Sequence, residues 1–223
     1  MPLVPFDLTY VLYTQHDALG KLCALLSLAP PFALVALATQ LATRRDLGTL
    51  TLLLGALAAA AAASALKKLL RQPRPTGHGL DHLEGYEHGM PSSHAVFCFF
   101  LAAHAAAWAL GGRWKEPSAL WRWALAGGAL AGAAAVAGAR VYLHYHSPPQ
   151  VGVGAGVGAA GGLLWHAATE ALLRPRFAGV AGSAVGRWLR LRDCSEVDVQ
   201  RVEYEATVRA AAVEQGRRPR KDA

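Results

Sequence analysis

Charged residues are scarce in this chain: Asp, Glu, Lys and Arg make up 17% of its 223 residues, against 53% hydrophobic. So little charge beside so much apolar side chain excludes an ordinary soluble domain of this length. Acidic residues are the scarcer kind, 15 against 22 basic ones, which leaves a net charge of +7. A basic excess invites a nucleic-acid reading, but no nucleic-acid-binding motif accompanies it. In a membrane protein the same excess reflects loop charge and lipid contact. Cysteine is also sparse. Cys23 and Cys98 lie within apolar runs and Cys194 in the tail, three scattered thiols that make no disulfide framework. The first 20 residues do not join a basic segment to a cleavable apolar core, so no signal peptide is expected.

What the chain does have is long apolar runs. Residues 22–42, 47–66, 95–111 and 120–138 each approach the roughly 20 residues needed to cross a bilayer as a helix. A fifth run, 151–173, is rich in Gly and Ala and carries no charge before Glu170. Small residues let membrane helices approach closely, so the Ala- and Gly-rich runs belong at the centre of a bundle. The expected architecture is all-α: a polytopic membrane bundle of about five transmembrane helices. It occupies residues 1–173, with an interfacial N-terminal segment, and a basic cytosolic tail follows from 174 to 223. Pro30 and Pro31 should kink the first span. With five crossings, Arg44, Arg45, Arg113, Lys115, Arg122 and the basic tail share one side, which the positive-inside rule makes cytosolic. Lys67, Lys68, Arg71 and Arg74 then lie on the other side, against the rule, and anion binding is the obvious reason.

Three stretches on that side carry chemistry. In the first, Lys67 sits at a helix end and Arg74 follows on a proline-fixed segment. A lysine point charge and a forked guanidinium together suit phosphate oxygens. Taken alone, the pair reads as interfacial snorkelling. The second is Pro91-Ser92-Ser93-His94 entering an apolar helix. Ser92 or Ser93 can cap that helix, whose free backbone donors attract an anion, and His94 in the first turn can supply a proton. The third runs from Ala139 to Gln150 and joins two apolar runs. Ser147-Pro148-Pro149-Gln150 has the form of a capping box with proline at the first helical position. His146 stands just before that helix, where a neutral imidazole could act as nucleophile, and Arg140 is six residues earlier.

Taken together, Lys67-x6-Arg74-Pro75, Pro91-Ser92-Ser93-His94 and Arg140-x5-His146 resemble the three-part signature of the type 2 phosphatidic acid phosphatase superfamily. Within it the chain is most similar to the eukaryotic dolichyldiphosphatase branch, a likeness that extends to Gly89-Met90, Arg140-Val141-Tyr142-Leu143, Tyr145, Leu191-Arg192-Asp193 and Glu203-Tyr204. Three positions depart from the superfamily pattern: Ser93 stands for the usual Gly, Ala139 for Ser and Gln150 for Asp. The resemblance implies a metal-independent, cofactor-free hydrolase of dolichyl diphosphate at the lumenal face of the endoplasmic reticulum. His146 would be the nucleophile, with His94 as acid and base, and Lys67, Arg74, Ser92, Ser93 and Arg140 would hold phosphate. Gln150 would either orient His146 or only cap its helix. The signature reads phosphate alone, so phosphatidic acid or another polyprenyl diphosphate would meet the same residues. The presence of both histidines speaks against a non-catalytic lipid-binding protein on this fold.

The spacing from Arg140 selects His146 over His144, which is expected to line the site or face solvent. His78, His82, Glu84, Glu87 and His88 fit no standard metal spacing and read as a solvated loop. His104 and His166, inside apolar runs, should be neutral and packed in the bundle. Residues 197–208 partly alternate apolar with polar, as a short strand or interfacial segment would. Arg220-Lys221-Asp222-Ala223 reads either as a dibasic retrieval signal or as a basic tail.

Overall fold

The computed structural model describes residues 11–75, 87–111, 118–195, 197 and 199–217. His78, His82, Glu84, Arg113, Lys115 and the C-terminal Arg220–Ala223 sequence lie outside them. Among the described residues there is no strand, and five helical stretches are long and apolar enough to cross a membrane.

The first of these is two helices, α1 (Ala18–Leu26) and α2 (Ala29–Arg44). The expected mid-span kink is a break at Ser27 and Leu28, with the prolines in the opening turn of α2, where missing N–H groups cost least. Next come α3 (Leu47–Leu70), α4 (Ser93–Leu110), α5 (Ala119–Tyr142) and α6 (Pro148–Ala168). Arg122 lies in the first turn of α5. At the other end α5 runs on through Arg140, which shortens the polar connection to residues 143–147. A π-helical turn, Thr169–Leu173, continues α6, and short helices α7 (Phe177–Gly182) and α8 (Ala184–Leu189) follow. Residues 199–208 open helix α9 (Val199–Arg217), which removes the strand from the two readings of this stretch. Glu205 lies four residues from both Arg201 and Arg209 and pairs with each, at 3.0 and 3.2 Å, a spacing that supports helix and not strand.

Backbone contact between α4 and α6 organises the bundle. Gly154, Gly158 and Gly162 fall on one face of α6, and a Cβ on any of them would run into the backbone of Ser92, Val96 or Phe100 respectively. Two helices can meet this closely only where one has no side chains in the way. The same stripe anchors the start of α4 to the start of α6, the two helix ends singled out by the motifs. At the opposite end, His104 and His166 pack edge-to-face with ring centroids 5.1 Å apart. Trp165 lies against Gly55 of α3 and donates to Thr51 O at 3.0 Å.

That end also holds the tail. Asp46 caps α3 through Thr49 N at 2.8 Å and accepts Cys194 N at 3.0 Å, while Leu47 N donates to Arg192 O at 2.9 Å. All three cysteines are free. Asp46→Ala removes a helix cap and a tail anchor in one step. The expected cost is about 1–2 kcal/mol, read as a lower melting temperature in detergent and faster limited proteolysis near residue 194.

Candidate active site

The connections after α3 and α5 and the entry to α4 meet at one end of the bundle. Residue Arg71 closes α3 in a left-handed conformation, with φ 48°. The chain beyond it pairs back on the approach to α4, where Gly89 N donates to Gln72 O at 2.8 Å and Pro73 lies across from His88. After α5 the carbonyl of Arg140 accepts from both Tyr145 N (3.1 Å) and His146 N (3.2 Å). This tight turn puts the exposed His144 at φ 59° and folds Tyr145 and His146 inward, so His144 faces out as expected.

His146 is 3% exposed. Burial, and then the charges of Arg74, Arg140, Lys67 and His94, press its pKa down to about 2, so the ring is neutral at physiological pH. Lys67, Arg74 and Arg140 are charge neighbours of His94 as well. The structure therefore brings together the three cations and two histidines that the sequence placed on separate stretches. Ser92 occupies the N-cap of α4, yet its buried hydroxyl caps nothing and has no hydrogen-bond partner among the described residues. Ser93 opens the helix beside it, and Ser92 N donates to Gln150 O at 3.1 Å, tying α4 to the first turn of α6.

Gln150 makes both of the contacts left open for it. Its Oε1 accepts Ser147 N at 3.2 Å, the backbone arm of the capping box, and lies 3.4 Å from His146 Nδ1. Its Nε2 donates to Pro73 O at 2.7 Å. A carbonyl can only accept and a backbone N–H can only donate, so these two partners fix which end of the amide is oxygen. Oε1 therefore accepts from His146, Nδ1 carries the ring proton, and the Nε2 lone pair is left for chemistry. Gly89 makes room for the amide: a Cβ there would stand 2.5 Å from Gln150 Oε1.

Three contributors had no role assigned from sequence. Tyr145 is one: its ring lies 3.8 Å beneath the Arg140 guanidinium, its carbonyl accepts Arg74 Nη1 at 3.2 Å and its hydroxyl accepts Leu12 N at 2.7 Å. Gly89 is another, and the third is the Ser27 carbonyl, 3.0 Å from His94 Nε2. Tyr145 between two motif residues and Gly89 just ahead of a third were the available signals; nothing in a sequence marks a backbone carbonyl.

Residues 48–174 match the family model described as the PAP2 superfamily. The chain is 35% identical to human Dolichyldiphosphatase 1, with 91% of this chain and 87% of that protein covered. It is 32% identical to Dolichyldiphosphatase 1 of Dictyostelium discoideum over 89% of this chain and 86% of that one. It is also 33% identical to the Dolichyldiphosphatase of Saccharomyces cerevisiae over 73% of this chain and 69% of that one. No solved structure matches the chain.

Proposed function

The chain belongs to the PAP2 superfamily and is a phosphatase, and from that premise we propose that it hydrolyses dolichyl diphosphate to dolichyl phosphate and phosphate. Its setting is the lumenal face of the endoplasmic reticulum membrane, with the tail cytosolic, and its product returns the lipid carrier to protein N-glycosylation. Basic residues clustered at the tail end of the bundle support that orientation. The choice of lipid rests on the dolichyldiphosphatase relatives. The observation that carries the chemistry is the convergence of Lys67, Arg74 and Arg140 on a neutral, buried His146.

In this reading His146 Nε2 attacks the terminal phosphorus, and the bond to the dolichyl phosphate oxygen breaks as the N–P bond forms. His94 gives a proton to that leaving oxygen. It then takes one from the water whose oxygen displaces His146 and releases phosphate. Lys67, Arg74, Arg140, the Ser92 hydroxyl and the free N–H groups at Ser93 and His94 hold the equatorial oxygens, where negative charge spreads in the transition state. A phosphate oxygen would also satisfy the unpartnered Ser92 hydroxyl, whose burial costs about 1–3 kcal/mol.

The deciding assay uses purified protein with chelator present, given dolichyl diphosphate or phosphatidic acid. Preferential, chelator-resistant release of phosphate from the diphosphate is expected; equal rates on both lipids would remove the substrate assignment.

Gln150 orients His146 and caps α6 in one geometry, and the Pro73 carbonyl explains why the position holds an amide. In Gln150→Glu an acceptor oxygen would face the Pro73 oxygen across 2.7 Å in place of a donor. The carboxylate must then turn away or take up a proton. The expected result is a kcat lowered about tenfold at neutral pH, although a carboxylate is the superfamily's usual partner for this histidine. Activity above wild type would show that the Pro73 contact is dispensable.

A further inference from the structure

Pro30 and Pro31 do more than start α2. In an unbroken α-helix, residue 31 would donate its N–H to the carbonyl of residue 27, and residue 30 to that of residue 26. Proline has no N–H, so both carbonyls lose their helical donors. Ser27 is 2% exposed, and its hydroxyl is turned back to Cys23 O at 2.9 Å. The Ser27 carbonyl is instead met by His94 Nε2, 3.0 Å away on another span. Because a carbonyl can only accept, Nε2 must carry hydrogen. Nδ1 is then the ring atom at which a proton is gained or lost.

We propose that Pro31 is a positioning residue for the reaction: by withholding its N–H it reserves the Ser27 carbonyl for His94, which fixes that ring's tautomer and aim. The inference rests on the reading of His94 as acid and base. In the first half-reaction Nδ1–H gives its proton to the leaving phosphate-ester oxygen. In the second the Nδ1 lone pair takes a proton from the attacking water. An alanine at 31 would supply an N–H directed at the same carbonyl, and His94 would have to share it. The water step suffers most, because a phosphate ester departs as a stabilised anion with little help, whereas water needs its proton removed.

The test uses the full-length protein and dolichyl diphosphate labelled in its terminal phosphate. Reactions are quenched in alkali, where phosphohistidine survives, and both kcat and the protein-bound label at steady state are measured. Pro31→Ala should lose about tenfold in kcat with KM within about twofold, while bound phosphate per protein rises, as it should more strongly in His94→Ala. Pro30→Ala restores an N–H toward Leu26 instead and should match wild type. Wild-type kcat and label in Pro31→Ala, beside accumulation in His94→Ala, would overturn the role of Pro31 alone. So would equal losses in the two proline variants, which would point to the helix break itself, or a fall in kcat without accumulation, which marks a folding defect. Absence of bound phosphate from wild type and His94→Ala alike would sink the phosphohistidine reading, and this inference with it.

Discussion

His146→Ala should lose at least about 10⁴-fold in turnover, the scale of removing a group at the reacting centre, and should carry no alkali-stable phosphate. The loss exceeds that of any phosphate-holding residue because no neighbour can substitute. His144 points outward, Arg74, Arg140 and Lys67 are cations without a lone pair to offer, and His94, the other neighbour, is held by the Ser27 carbonyl and is already the acid and base of the reaction. Folding should survive, since Nδ1 makes one long contact of 3.4 Å. The variant should even be less acid-sensitive. The folded His146 pKa is near 2 against an ordinary 6.5, so between those values the unfolded chain binds a proton that the folded chain refuses. Stability therefore falls as pH drops through about 6.5, and rises with pH in that window. Melting temperatures of wild type and His146→Ala at neutral and mildly acid pH measure the difference. A steeper acid loss in the variant would contradict a buried neutral ring, and wild-type turnover would remove His146 from the mechanism.

Gly158→Val should disrupt the bundle as a whole. An added Cβ would overlap the Val96 carbonyl, which sits in the α4 backbone and cannot swing aside. The helices must part, at a cost of about 3 kcal/mol or more, and separation carries Ser92, Ser93 and His94 away from His146. Gly156→Val is the matched comparison, because a Cβ there meets nothing within 4 Å. Yield in detergent, melting temperature and turnover should all fall for position 158 and stay near wild type for 156. Equal tolerance at both positions would mean that α4 and α6 are not in backbone contact.

Much of the site was legible because charge in an apolar chain is conspicuous. Lys67, Arg74 and Arg140 at span ends, histidines beside capping residues and a proline-led helix start are local patterns, each with its own chemical reason. Element ends were harder to read. Helix α5 continues through Arg140 because the guanidinium is buried against the Tyr145 ring, a contact that does not exist until the turn has folded. At the start of helix α9 a short alternation suggests a strand or interfacial segment and hides the pairing of Glu205 with arginines on either side.

The sequence by itself determined that this chain is a membrane bundle, that its Ala- and Gly-rich runs are small enough to pack closely, and which residues are candidates to bind phosphate. Those properties follow from side-chain polarity, volume and spacing along one strand of chain. Tertiary structure decided what each histidine can do. The tautomer of His146 depends on an amide whose two ends are pinned by Pro73 and Ser147, and the aim of His94 depends on a carbonyl released by a proline on another span. Hydrogen-bond direction is set by partners that are distant in the chain, and only the packed bundle brings them within about 3 Å.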